Sequence, residues 1–158
     1  MPKTTPCLWF DDEGEEAAAF YTSVFPNSRV TGTVPYTEAG PGEAGTTMLV
    51  KFELDGQDFQ AINGGPLFTF SEAISFQIDC EDQDEVDYYW NALTADGGEE
   101  TQCGWLRDKF GLSWQVVPTA LAEIFASCDA QASQRVMQAM LGMTRIDIAA
   151  LQAAKDAD

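Results

Sequence analysis

Histidine is absent from this 158-residue chain, and basic residues are scarce, with eight against 26 acidic ones for a net charge of -18. Without imidazole there is no Ser-His or Cys-His nucleophile and no histidine-bearing metal set. The four cysteines, Cys7, Cys80, Cys103 and Cys128, show no CxxC spacing. They read as small buried hydrophobes in a reducing compartment. The excess of negative charge repels phosphate backbones and anionic lipid, so neither nucleic acid nor a membrane is an expected partner. No run approaches the ~18 apolar residues needed to cross a bilayer, and MPKTTPCLWFDD lacks the apolar core of a signal peptide, which leads to the expectation of a cytoplasmic protein. Gly64-Gly65-Pro66 reads as a turn with no helix behind it, and no Gly-rich strand-to-helix turn of the nucleotide-binding kind occurs elsewhere.

What remains suffices for a core: 45% of residues are hydrophobic and 11% aromatic, in a length suited to a single domain. In DDEGEEAAAFYTSVF, Asp12 is positioned to cap a helix with Glu15 and Glu16 in its first turn and Ala17, Phe20, Tyr21 and Val24 on one stripe. In DQDEVDYYWNALTADGG, Asp82 caps, Glu85 follows three residues on, and Val86, Tyr89, Trp90 and Leu93 form the stripe. The two stripes superpose at a constant offset of 69 positions, which indicates an internal repeat.

The flanks repeat as well. A strand precedes each helix, PCLWF and then AISFQID, and three follow each: SRVTGTVPYT, TTMLVKFEL and DFQAIN, then EETQCG, WLRD and LSWQVVP. Asp55-Gly56 marks one hairpin, and Lys109-Phe110-Gly111 marks another with Gly111 at the left-handed position. The segment EAGPGEAG, residues 38–45, reads as a flexible loop that either covers a pocket or simply connects two strands. Beyond Pro118 the pattern becomes helical, with Thr119, Asp129 and Thr144 as expected caps. Leu121, Ile124, Phe125, Val136, Met137, Met140, Leu141, Ile148 and Leu151 are the expected buried residues of this tail. Helices this short need a surface to pack on, either the repeat itself or a second subunit.

Two βαβββ units, together with LWFDDEGEEAAAFYTSVFPNS, FQAINGGPLFTFSEAISFQIDCEDQDEVDYYWNAL, CGWLRDKFGLSWQVVP and the tail MTRIDIAALQAA, resemble the PhnB-like branch of the vicinal oxygen chelate superfamily. That superfamily includes glyoxalases, ring-cleaving dioxygenases and fosfomycin and bleomycin resistance proteins. The resemblance covers nearly the whole chain. It implies one domain of α+β class: two tandem βαβββ modules (residues 1–66 and 67–118) forming a curved eight-stranded cup, with C-terminal helices at 119–158. It also implies a homodimer that takes a small molecule in the cup.

Relatives hold a divalent metal there through His, Glu or Gln on the first and last strand of each unit. Carried over, those positions fall near Pro6, Gln60, Ala73 and Gln115, or at Leu8, Ile62 and Ser75 if the register slips by two. None supplies a carboxylate or imidazole, so neither a metal nor another cofactor is expected. The wall of such a cup is expected to include Leu8, Phe10, Gln60, Ser75, Gln77, Ser113, Gln115 and Val117. The same residues also describe an ordinary core with satisfied polar groups. Trp9, Trp105 and Trp114 are placed to stack on a planar ligand or to fill the core. Arg107 and Lys109 either steer an anion or, with Asp108 between them, belong to a solvated turn. No catalytic residue stands out. The branch often carries a demethylubiquinone methyltransferase label, and an enzyme of glyoxalase, lyase or methyltransferase-like type acting on a small aromatic or anionic substrate is the alternative to simple binding.

Overall fold

The computed structural model describes residues 2–158. In chain order the elements are β1 (Cys7–Phe10), α1 (Gly14–Val24), β2 (Arg29–Pro35), β3 (Thr47–Leu54), β4 (Gln57–Asn63), β5 (Ser75–Cys80) and α2 (Gln83–Thr94). There follow β6 (Glu99–Glu100), β7 (Trp105–Arg107), β8 (Ser113–Pro118), α3 (Ala120–Ala126), α4 (Ala130–Leu141) and α5 (Ile148–Asp156). The strands form two four-stranded sheets of the same order, β1-β4-β3-β2 and β5-β8-β7-β6. In each, the first strand runs parallel to the last, and the other pairings are antiparallel. Two βαβββ modules followed by helices are therefore the architecture, as expected from the repeat. The chain divides into two units, one running to Phe70 and the other spanning Ser71–Asp158.

In the first unit, α1 buries Ala17, Ala18, Tyr21 and Val24 over the sheet face carrying Leu8, Val50, Phe52 and Ala61. Tyr21 stacks on Phe52 at 6.3 Å between ring centroids, and Phe52 on Phe59 at 5.6 Å. Burying each such side chain contributes about 1.5–3 kcal/mol. Asp55 and Gly56, both at positive φ, close the β3–β4 hairpin between Leu54 and Gln57.

The expected Asp12 cap is not formed. Glu13 takes the N-cap position with no side-chain bond, and Asn63 at the end of β4 accepts the Gly14 N–H at 2.7 Å. A donor at a helix start needs an acceptor, and here the adjoining strand supplies it.

In the second unit, α2 starts as expected: Asp82 Oδ1 accepts the Glu85 N–H at 2.9 Å, and Val86, Tyr89, Trp90 and Leu93 are buried. The tail docks on this module within the same chain. Gln83 Nε2 donates to Ile146 O at 3.0 Å while its Oε1 accepts from Ile148 N at 2.8 Å. Ile124, Val136, Ile146 and Leu151 form the tail's own cluster. Asp129 caps α4 as expected, but Thr119 makes no capping bond, and Asp147 rather than Thr144 caps α5. Met137 and Leu141, expected to be buried, are exposed, because α4 needs only its Ala132–Val136 side to meet α5 and α3. No described helix is long and apolar enough to cross a membrane.

Candidate functional site

Directly paired residues on neighbouring strands share a face of the sheet, so register determines which side chains can meet. In the second module, Leu106↔Trp114 and Ile78↔Val116 lie on the buried face towards α2. Gln77↔Gln115↔Trp105 and Ser75↔Ser113↔Arg107 form two adjacent rows on the opposite face. Gln115 Nε2 donates to Ser75 Oγ at 2.9 Å, which leaves its Oε1 as an acceptor. Gln77 sits at the exposed edge, its Nε2 on Asp79 Oδ1 at 2.9 Å.

Arg107 spreads its guanidinium between Glu72, at 3.0 Å from Nη1, and Glu99, at 2.5 Å from Nη2. Among the described residues, the buried side-chain polar atoms without a partner are its Nε and the Oγ of Ser113.

The equivalent face of the first module carries Cys7↔Gln60↔Lys51 and Trp9↔Ile62↔Leu49. Gln60 therefore holds the same place on β4 that Gln115 holds on β8, each paired with the first strand of its own module. Trp9 is fixed beside it by Nε1 donating to Gly65 O at 2.9 Å and by an edge contact with Phe68 at 4.8 Å.

Five of the nine expected pocket residues thus share one face of the second module: Ser75, Gln77, Trp105, Ser113 and Gln115. Gln60 and Trp9 share the matching face of the first. Phe10 and Trp114 do not join them. Phe10 is on the α1 side with Leu8, edge-on to Phe70 at 5.3 Å. Trp114 is on the α2 side with its Nε1 donating to Asp108 Oδ2 at 2.8 Å. Both come from strands whose consecutive bulky residues conceal which parity faces the helix. Asp108 itself is buried, so Arg107 and Lys109 do not flank a solvated turn.

The positions at which the family resemblance implies metal ligands offer poor donors. Gln60 and Gln115 are neutral amides, and Pro6 and Ala73 lie just outside β1 and β5 and carry no donor side chain. Leu8 and Ile62 are aliphatic, and Ser75 is occupied by Gln115. Dehydrating a divalent ion requires anionic or imidazole ligands, so these residues do not fit one. Burial, with Glu85, Asp79 and Asp82 nearby, pushes the Cys80 thiol up to about 12, and partial desolvation raises Cys7. Of the four cysteines expected to be buried only Cys80 is; Cys7 is exposed at the start of β1, and Cys103 and Cys128 are half-buried.

A cavity of about 430 Å³ lies elsewhere in the first module, beside the start of α1, and none of the expected pocket residues lines it. Its walls include Asp11, Glu15, Tyr36, Glu43 and Asn63. The 38–45 segment contributes Pro41, Gly42 and Glu43, so this loop does border a pocket. It is held by Tyr36, whose hydroxyl donates to Asn63 O and whose ring lies where a Gly42 Cβ would be, 2.4 Å away. A single tyrosine before a Gly/Pro-rich loop gave no periodic signal of this role.

A family model described as 3-demethylubiquinone-9 3-methyltransferase matches residues 2–117. No curated protein matches. Among solved structures, the chain is similar to a putative 3-demethylubiquinone-9 3-methyltransferase, PhnB protein, from Bacillus cereus: 35% identity, TM-score 0.67, covering 75% of this chain and 100% of that one. It is also similar to a Pseudomonas aeruginosa protein at 19% identity and TM-score 0.61, covering 75% and 98%. The fosfomycin resistance protein FosX of Listeria monocytogenes shares the fold at 18% identity and TM-score 0.54, covering 77% and 94%. By these matches the chain belongs to the PhnB-like 3-demethylubiquinone-9 3-methyltransferase family.

Proposed function

We propose that this protein binds a small organic molecule without a metal, on the sheet faces turned away from α1 and α2. The observation that carries the reading is the polar row of the second module, in which Gln115 lies between Gln77 and Trp105 and is oriented by Ser75. An amide held by a neighbouring hydroxyl beside a half-buried indole is suited to orienting a ligand, and it adds little to packing. Methyl transfer, which the family description names, is not favoured. Both sheets are largely antiparallel, and Gly64-Gly65 leads into a loop without the helix N-terminus of a nucleotide-binding turn.

A thermal-shift screen against a broad metabolite set, run with chelator present, tests this. A binder is expected to raise the melting point of the wild type. Gln115→Ala is expected to lose that rise while its unliganded stability stays within about 1 kcal/mol of wild type. A screen in which no compound raises the melting point, or in which only added divalent metal does, would refute the proposal.

The protein is further proposed to act as a homodimer. Support comes from the segment joining the two modules, where Leu67 and Ile74 are largely exposed. Isolated surface apolar residues are common, but two large ones so close on one connecting segment are suited to a partner surface. Light scattering is expected to give twice the chain mass. The mass should fall to that of one chain in Leu67→Asp/Ile74→Asp. Because each chain carries a net charge of -18, raising the salt should favour the dimer. A single-chain mass at all salt concentrations would count against it.

A further inference from the structure

We propose that Arg107 and Ser113 form a two-donor subsite for the oxygen of a neutral, planar carboxamide, with Gln115 and Trp105 recognising the rest of that ligand. The inference deepens the binding proposal above and rests on it. Ser113 and Arg107 are direct cross-strand partners on the face of β7 and β8 turned away from α2. Their Oγ and Nε are the buried side-chain polar atoms that lack a partner among the described residues. Native structures rarely leave such atoms unsatisfied, and two on one register pair mark a place where an acceptor belongs. Arg Nε can only donate, and a serine hydroxyl can rotate to donate, so one sp² oxygen with two lone pairs satisfies both.

The surrounding charge selects among oxygens. Glu72 and Glu99 already neutralise the Arg107 guanidinium at 3.0 and 2.5 Å, so a carboxylate ligand would add a third negative group to one cation. In a chain of net charge -18 that is disfavoured, whereas a neutral carbonyl is not repelled. Along the same strand and on the same face, Gln115 has committed Nε2 to Ser75 and retains Oε1 as an acceptor for an N–H. Its cross-strand partner Trp105 adds a half-buried flat surface for an aromatic ring. Carbonyl oxygen, amide N–H and ring are thereby met in succession by Arg107 with Ser113, then Gln115, then Trp105.

Benzamide, benzoate and benzylamine serve as probes, titrated into the full-length, isotope-labelled protein. The indole N–H of Trp105, assigned with Trp105→Phe, and the Gln115 side-chain amide are followed by NMR. Benzamide is expected to shift both signals and to bind about tenfold more tightly than the other two, the usual worth of a matched hydrogen-bonding pair. Ser113→Ala is expected to weaken benzamide about tenfold without lowering the melting point, since it removes an unpaired buried group. Arg107→Lys should weaken it similarly, because an ammonium cannot reproduce the Nε donor. Equal affinity for benzamide and benzoate, tighter binding of benzylamine, no shift with any probe, or unchanged benzamide binding in Ser113→Ala would each overturn the subsite. A metabolite whose stabilising effect depends on Gln115 but not on Ser113 would leave the broader binding proposal standing and this inference refuted.

Discussion

Asp108→Ala is expected to lower stability by about 3–5 kcal/mol, the range for removing one member of a buried charged hydrogen-bonding group. Its carboxylate organises the whole β7–β8 hairpin. Oδ1 accepts from Phe110 N at 2.9 Å and Leu112 N at 3.1 Å, and Oδ2 accepts from Trp114 Nε1 at 2.8 Å. The backbone of the same residue closes the turn, with Asp108 N donating to Leu112 O and Gly111 N donating to Asp108 O, both at 2.9 Å. Alanine preserves those backbone bonds. It leaves the Leu112 N–H and the Trp114 indole N–H buried without acceptors, each costing about 1–3 kcal/mol.

Asp108→Asn separates charge from geometry. Its remaining oxygen can still serve the two backbone donors, but its NH₂ would face the donor of Trp114, so a smaller loss of about 1–2 kcal/mol is expected. Urea unfolding followed by circular dichroism measures both variants. A loss below about 1 kcal/mol for alanine would show that the turn does not depend on this carboxylate. Because Arg107 and Ser113 flank the turn, the Asp108 variants should also weaken any ligand that uses the face bearing Gln115.

Much of the architecture was legible in residue pattern alone, and the reasons are local. Ala17, Phe20, Tyr21 and Val24 recur as Val86, Tyr89, Trp90 and Leu93 because each helix must cover one face of its own four-stranded sheet, and Asp55-Gly56 and Gly111 mark turns through their own backbone preferences. The less legible features depend on partners distant in the chain. Asn63 caps α1 from 49 positions away, which no adjacent-residue rule anticipates. Phe10 and Trp114 turned to the helix side because strands such as CLWF and SWQVVP lack a clean polar alternation, so their parity is determined by pairing with β4 and β5. Gln60 and Gln115 were identifiable as a corresponding pair through the family resemblance, and register places both against the first strand of their modules. The unpaired state of Arg107 Nε and Ser113 Oγ is a property of the folded hairpin, and only side-chain geometry reveals it.

Gly104→Ala is expected to cost about 3 kcal/mol and to loosen the C-terminal helices before the rest of the second unit. Gly104 has φ +85°, where an added Cβ costs about 1–2 kcal/mol through its own backbone. That Cβ would also lie 2.9 Å from Val116 O and 3.1 Å from Ile146 Cγ1. The first contact is with the β8 backbone, which cannot yield without disturbing the sheet. Val116 N donates to Gly104 O at 2.8 Å, so the two strands of backbone are fixed at close range.

The second contact reaches the tail. Gly104 N donates to Thr144 O at 2.8 Å and Cys103 N to Met143 O at 2.9 Å, and Ile146 is the member of the Ile124–Val136–Leu151 cluster nearest the junction. If Ile146 is displaced, the short helices lose the surface that stabilises them, and limited proteolysis should cut between residues 119 and 158 sooner than in the wild type. Gly45→Ala is the matched control. Its φ of +89° imposes the same backbone strain, but nothing lies within 4 Å of the added Cβ. It should therefore cost only about 1–2 kcal/mol and leave the proteolysis of the tail unchanged. Equal losses for the two alanines would mean that left-handed strain alone sets the cost, and that the tail does not depend on the close approach of its backbone to Gly104.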